Sequence, residues 1–208
     1  MISEPNYVKI THHGRRIVQC LQVPEDLTYT VTRGDVEMQR RAPFRAMQPR
    51  RGVEVGVHRG RNAATLLARC PRLTLYLVDH WGQTPEQADA DPVGHPFYRE
   101  MLEETAFAGE RRVIIRRGSP AAASLVPDGL DFAFIDGDHL YEPCLADLEA
   151  WWPKVRSGGV LFGHDIDNPD PKYADWGVRQ AAEEFAGGLG LPLEVYPDPE
   201  MVFAIRKP

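Results

Sequence analysis

Residues 130–142, Leu-Asp-Phe-Ala-Phe-Ile-Asp-Gly-Asp-His-Leu-Tyr-Glu, decide how this chain is read. The apolar run LDFAFI passes directly into Asp136, Asp138 and His139. A strand buried on both faces ends like this where its tip opens onto a polar ligand. Helix capping and loop solvation are the competing explanation, but capping accounts for one acid per strand end and leaves the rest without a task. The pattern returns downstream, where Gly158-Gly-Val-Leu-Phe-Gly163 delivers His164 and Asp165, followed by Asp167 and Asn168. Two neighbouring strands would set these clusters side by side.

Working outward from there, short apolar runs alternate with helical patterns from Gly52 onward. VEVGV precedes a helix over 62–69, and LTLYLV precedes a loop and a helix over 97–107. RVIIR leads to a short helix, LDFAFI to a helix over 142–152, and GGVLFG to a helix over 176–185. Such alternation predicts an α/β fold, a parallel sheet covered by helices on both faces. The tail LPLEVYPDPEMVFAIRK holds two strands around a Pro-Asp-Pro turn, which forces an antiparallel final pair. Residues 1–50 read as a separate extension, a cap or oligomerisation segment, ahead of a domain over 51–208. Within the extension, alternation over 16–23 predicts an edge strand, and Pro24, Gly34, Pro43 and Pro49 interrupt the polar stretch after it. The polar stretches 82–96 and 167–176 are expected to be mobile lids that choose a substrate. In the helix after Glu142, Leu145, Leu148 and Trp152 mark the expected core face.

At 208 residues the chain suits one domain with a full core. A net charge of −6 and a pI near 5.6 argue against a nucleic-acid binder, although Arg40, Arg41, Arg45, Arg50 and Arg51 form a local basic segment. That segment reads as solvated or in contact with another subunit, so a homo-oligomer built through it is a candidate. Cys20, Cys70 and Cys144 are widely spaced with no CxxC pair, which suggests neither a disulfide framework nor a thiolate zinc site. They read as buried small apolar residues. No apolar run is long enough for a membrane span, and the first residues carry no signal-peptide core. A soluble, cytoplasmic protein is the expectation.

Ligands in a parallel sheet bind beyond the carboxyl ends of the strands. Three further strand ends qualify here. Glu54, Gly56 and Gly60 frame a glycine-bounded turn before a helix N-terminus, where glycines admit positive φ and close approach. The turn is not GxGxxG, and a carboxylate at Glu54 suits a ligand bearing an amino group. Asp79 ends LYLVD, placed to accept the hydroxyls of a ribose, with Trp81 beyond it to stack on or cover a purine. Ser119 follows RVIIRRG and could meet the purine edge, although with Pro120 it equally makes a helix cap.

Taken in order, VEVGVHRGRNAATLL, LYLVDHW, the Gly-Ser turn, LDFAFIDGDHLYEPCLADLEAWW and SGGVLFGHD resemble the class I S-adenosylmethionine-dependent methyltransferases. They are most similar to the metal-dependent O-methyltransferases of antibiotic and sugar tailoring and to cephalosporin-hydroxylase-like relatives. The resemblance covers residues 51 to about 206. It implies a Rossmann-like, doubly wound, seven-stranded sheet with a reversed last strand. S-adenosylmethionine would then lie with its methionine part near Glu54 and Gly56, its ribose on Asp79 and its adenine by Ser119. Asp136 counts both as a cofactor neighbour and as a metal ligand.

The two acidic clusters fit this chemistry. An alcohol is a poor nucleophile at neutral pH, and a divalent cation bound to it corrects that. Asp136 and Asp165 offer hard oxygen ligands for Mg²⁺ or Mn²⁺. Where the relatives carry a second acid beside Asp165 this chain has His164, whose imidazole would favour a transition metal if it ligates. For the general base the relatives use an acid matching Asp138 or a histidine matching His139, and this chain has both. His139 is favoured because an imidazole of pKa about 6.5 accepts a proton at neutral pH more readily than a carboxylate of about 3.9. The expected acceptor is a hydroxyl of a small molecule, sugar or natural-product-like. The alternatives are a hydroxylase-like member of the fold without methyl transfer, an NAD-dependent oxidoreductase, and a non-catalytic scaffold.

Overall fold

Strict alternation along the central strands sends successive side chains to opposite faces of one sheet, and both faces are covered. A computed structural model describes residues 48–82, 95–168, 170–196 and 201–208, together with two N-terminal strands. The elements are β1 (Tyr7–His12), β2 (Arg15–Leu21), β3 (Arg51–Val55), α1 (Arg61–Arg69), β4 (Thr74–Asp79), α2 (Pro96–Glu104), β5 (Arg112–Arg116), β6 (Leu130–Ile135), α3 (Tyr141–Trp151), β7 (Val155–Gly163), α4 (Val178–Leu189), β8 (Glu194–Tyr196) and β9 (Val202–Arg206). Seven strands form one sheet in the order β5-β4-β3-β6-β7-β9-β8. The pairs from β5 to β7 are parallel, and β9 runs antiparallel to both β7 and β8.

On β6, Phe132 and Phe134 join Leu66 and Leu67 of α1 and Met101 of α2 on one face. Ala133 and Ile135 join Leu148 and Trp151 of α3 and Ala181 and Ala182 of α4 on the other. Phe132, Phe134 and Trp151 are essentially inaccessible, which places their apolar surface among the main stabilising terms. β3 lies between β4 and β6, so the chain first winds outward to β5 and then returns on the other side. That reversal opens a crevice at the carboxyl ends of β3 and β6.

Several expected boundaries shift. The first sheet strand stops at Val55 because Gly56 takes φ +84°, a left-handed conformation that ends the strand. The helix expected over 97–107 begins at Pro96 and gives way to a 3-10 turn over Ala106–Arg111. That expected from Trp176 begins at Val178 and runs on to Leu189. α3 turns a different face inward: Cys144, Asp147, Leu148 and Trp151 are buried, while Leu145 and Trp152 are only partly covered. The edge strand expected over 16–23 is β2, which pairs with β1 in a two-stranded sheet of its own. The rest of the extension before residue 48, with Arg40, Arg41 and Arg45, and most of the expected lid over 82–96 lie outside the described residues. Cys144 is buried as expected and Cys70 half-buried, and burial pushes their thiols up to about 12 and about 11. No helix among the described residues is long and apolar enough to cross a membrane.

Candidate active site

The ladder between β3 and β6 continues past the strand ends, with Asp136 N–H donating to the Val55 carbonyl at 2.9 Å. This brings the two chains so close that a Cβ at Gly56 would sit 1.9 Å from the Asp136 carbonyl oxygen. Beyond the contact opens a cavity of about 880 Å³, a volume ordinary for a small-molecule or cofactor site. Gly56, Asp79, Trp81, Ser119, Asp136, Asp138 and His139 line it, together with His58, Gly118, Gly137 and Asp147. Glu54 and Gly60 stand behind this wall. Glu54 is buried and accepts from Asn62 Nδ2 at 3.3 Å, and Gly60, at φ +76°, caps α1 against Met101.

Asp79 accepts from the backbone N–H groups of His58 and Trp81, each at 2.7 Å. Both carboxylate oxygens are thereby aimed at the rim by the two loops they tie together. Trp81 is 3% exposed, donates from Nε1 to the His58 carbonyl at 2.8 Å and meets Tyr98 edge-on at 4.9 Å. It is packed into the core and lines the cavity. The Ser119 hydroxyl accepts from Trp151 Nε1 at 2.8 Å and donates to Asp147. What Ser119 offers a ligand is therefore its backbone and the open space over Gly118.

The two acidic strand ends meet as expected. His139 Nε2 lies 3.3 Å from Asp136 Oδ1 and 3.2 Å from Asp165 Oδ2. His164 Nδ1 lies 3.1 Å from Asp165 Oδ2 and 3.9 Å from Asp136 Oδ1. Ligand atoms of Asp136, His139 and Asp165 all fall within 4.8 Å of one another, and Asn168 Nδ2 fixes the remaining Asp165 oxygen at 2.8 Å. Asp165 sits at φ +58°, a strained backbone for a non-glycine residue and one concentrated at functional sites. Burial alone would raise the Asp165 carboxyl, but hydrogen bonds from His139 and His164 hold it far below the usual carboxylate range. Burial likewise opposes charge on His139, yet its bonds to Asp136 and Asp165 win and push it up to about 9. His164 is raised by Asp165 and Asp136 in the same sense, against its own burial. Two carboxylates and two imidazoles so arranged hold positive charge between the acids, which is what a divalent cation would supply.

The His139 ring is stacked on Trp176 at 4.0 Å, and Trp176 in turn on Tyr173 at 3.9 Å. Gly177 N–H donates to the His139 carbonyl at 2.8 Å. Much of the segment expected to be a lid over 167–176 thus clamps the imidazole in place. Asp138 is exposed, and its Oδ1 accepts from Leu140 N at 3.0 Å in the turn leading to α3. Sequence reasoning missed Trp176 as a partner of His139, since only the tertiary fold joins them.

It also missed Asp147, 3% exposed on the inner face of α3. Its signal was the spacing of Cys144, Asp147, Leu148 and Trp151, an i, i+3, i+4, i+7 stripe that includes a carboxylate. Burial, the largest influence, pushes its carboxyl up to about 6, against the opposing bond from Ser119. The native state therefore binds this proton more tightly than the unfolded chain. Above pH 6 the buried charge costs stability, up to roughly 3 kcal/mol, and the cost disappears as pH falls toward 4. Asp147→Asn should accordingly have a higher urea midpoint than the parent at pH 8, with the gap closing by pH 4. A gap that does not change with pH would contradict the shift.

The sheet order, the reversed β9 and the cavity at the carboxyl ends define the class I methyltransferase fold. Residues 53–166 match the family model of a methyltransferase domain, and the chain belongs to that family. Among solved structures it is similar to a TDP-rhamnose 3'-O-methyltransferase of calicheamicin biosynthesis, with 23% identity, 83% of this chain and 78% of that one covered, and a TM-score of 0.55. It is similar also to an O-methyltransferase from Bacillus cereus solved with S-adenosylhomocysteine, at 17% identity, 86% and 82% coverage and a TM-score of 0.56. A Burkholderia thailandensis O-methyltransferase family protein aligns at 15% identity and a TM-score of 0.58, covering 83% of this chain and 55% of that one. A Sinorhizobium fredii protein, y4gI, is 28% identical over a 159-residue alignment that covers 72% of this chain and 17% of that protein. The chain thus spans about a fifth or less of the length of the curated relatives it matches.

Proposed function

We propose that this chain is an S-adenosylmethionine-dependent O-methyltransferase acting on a hydroxyl of a small molecule, assisted by a divalent cation. One observation carries the reading: Asp136 and Asp165, with His139 and His164 between them, converge beside a cofactor-sized cavity at the sheet's switch point. The donor set fits a hard or borderline cation, and the imidazole nitrogens favour Mn²⁺ over Mg²⁺. When bound, S-adenosylmethionine supplies an electrophilic methyl group and the cation lowers the pKa of the acceptor hydroxyl.

The protein's part is placement and proton handling. Asp79 offers carboxylate oxygens to vicinal ribose hydroxyls at the rim. Asp136 and Asp165 would hold the cation, with His164, whose Nδ1 lies 3.1 Å from Asp165 Oδ2, as third ligand and His139 left for the proton. With a cation held by Asp136 and Asp165 in place of the positive charge that keeps His139 protonated, its neutral Nε2 would then take the acceptor's proton, the ring held by Trp176. Asp138, exposed and engaged in a turn, is the second candidate for that role. A sugar-like acceptor is favoured by the similarity to the TDP-rhamnose enzyme. Residues 51–208 form the catalytic domain in this reading, and nucleic acid has no part in it.

Calorimetric titration with S-adenosylhomocysteine, combined with methyl transfer to a panel of hydroxyl compounds, tests the proposal. Binding is expected, and so is turnover that EDTA removes and Mn²⁺ restores better than Mg²⁺. Failure to bind the cofactor would overturn the reading and leave a repurposed member of the fold; EDTA-insensitive turnover would remove the cation from it.

A further inference from the structure

The Asp147 carboxylate is built into the cavity wall with a fixed polarity. The side chain is 97% buried, since 3% remains exposed. Its Oδ1 accepts from the Ser119 hydroxyl, and the Ser119 oxygen accepts from Trp151 Nε1. An indole N–H can only donate. The serine proton therefore has to point at Asp147, and the chain of bonds runs one way, from Trp151 through Ser119 to Oδ1. Among the described residues none donates to Oδ2. That oxygen lies beside Gly137 on the cavity lining, where an added Cβ would come within 3.2 Å of it. Any side chain at 137 would crowd the approach to the oxygen, and glycine leaves it open. Oδ2 is not one of the fully buried polar atoms that lack a partner, so it meets the open space of the cavity, where a ligand can donate to it.

We infer that Asp147 selects the purine of the bound cofactor, its Oδ2 accepting a hydrogen bond from an exocyclic 6-amino group. This rests on the cavity holding S-adenosylmethionine, as proposed above. Gly118 and Ser119 line the same cavity as Asp79 and Asp147, and the base would lie by them if the cofactor binds as the family resemblance implies. A 6-oxo purine presents a carbonyl at the same place and faces the carboxylate oxygen with a second acceptor. Sites that hydrogen-bond a ligand group reject analogues lacking it far more strongly than apolar pockets reject a changed methyl. Asp147 is thus a specificity-determining residue.

The same directional chain predicts what an isosteric amide does. In Asp147→Asn the side-chain oxygen must remain toward Ser119, because the serine proton still points at it. The amide nitrogen then faces the cavity, turning an acceptor into a donor. The site should lose its preference for an amine and come to tolerate a carbonyl.

The experiment compares S-adenosylhomocysteine with S-inosylhomocysteine, its 6-oxo counterpart, by calorimetric titration of the parent chain and of D147N, with urea midpoints to establish that both are folded. The parent should prefer the amino compound by roughly a hundredfold or more. In D147N the ratio should fall to within about threefold of parity or reverse. A purely structural role for Asp147 would weaken both compounds together and leave their ratio unchanged, which overturns the inference. Equal affinity of the two compounds in the parent overturns it without any variant, so the test survives if D147N does not fold. In either case tight binding of S-adenosylhomocysteine by the parent leaves the proposed function standing, whereas no binding of it overturns both.

Discussion

Asp136→Ala is expected to reduce methyl transfer by at least about a thousandfold while leaving S-adenosylhomocysteine affinity within a few fold. The variant removes one of the two carboxylates that hold His139, at 3.3 Å, and leaves Asp165 to face two imidazoles alone. Losing a ligand costs the several kcal/mol by which a bound cation activates a hydroxyl, and 1.36 kcal/mol corresponds to a factor of ten in rate. The cofactor rim at Asp79 is anchored separately, through His58 and Trp81. Asp79→Ala should therefore do the reverse, weakening the cofactor with cation affinity kept. Mn²⁺ titration of each variant decides the matter: Asp136→Ala binding Mn²⁺ as tightly as the parent would refute the ligand assignment.

Among the described glycines, Gly56→Ala should be the most damaging single added methyl. The residue holds φ +84°, and its added carbon would fall 1.9 Å from the Asp136 carbonyl oxygen, which is backbone and cannot swing aside. Relief requires β3 and β6 to separate at the point where Asp136 N–H bonds the Val55 carbonyl, so the loss should exceed about 4 kcal/mol. Such a cost is a large share of a domain's whole stability, and the expected outcome is insoluble or unfolded protein. Gly188→Ala is the matched control. It lies within α4, an added Cβ there meets nothing within 4 Å, and the helix should gain up to about 1 kcal/mol. Urea midpoints of the two variants supply the measurement, and a Gly56→Ala protein as stable as the parent would contradict the close approach.

The features legible before folding were governed by period and by strand ends. LDFAFI and GGVLFG could be placed because a strand covered on both faces is continuously apolar, and the acids after them could be assigned to one site because parallel neighbours end together. The reversed pair was legible from a turn too short for a crossover. Direction on a helix was harder to read. On α3 the stripe through Leu145, Leu148 and Trp152 looked inward because leucine and tryptophan are the more apolar choices. The fold instead buries Cys144, Asp147, Leu148 and Trp151, rotating a carboxylate into the interior. Ser119 and Trp151 make that tolerable, and they are distant in sequence. Trp81 lines the cavity as a strand-end aromatic should, while its bond to the His58 carbonyl and its contact with Tyr98, which no local pattern shows, also tie it into the core. Clamping of His139 by Trp176 likewise depends on a loop closing back over α3, which no local pattern encodes.

The reversed strand β9 also bears on how the protein is made. It pairs with β7 on one side and β8 on the other, from Val160 opposite Arg206 to Tyr196 opposite Val202, so it is an interior strand synthesised after both its partners. Until it leaves the ribosome, β7 presents an unpaired apolar edge at Val160, Leu161 and Phe162, beside the acids that would bind the cation. A nascent chain stalled or cut before Val202 would carry most of the active-site residues on a sheet still open to pairing with another chain. Late arrival of a few apolar residues thus couples completion of the catalytic edge to protection from aggregation during synthesis.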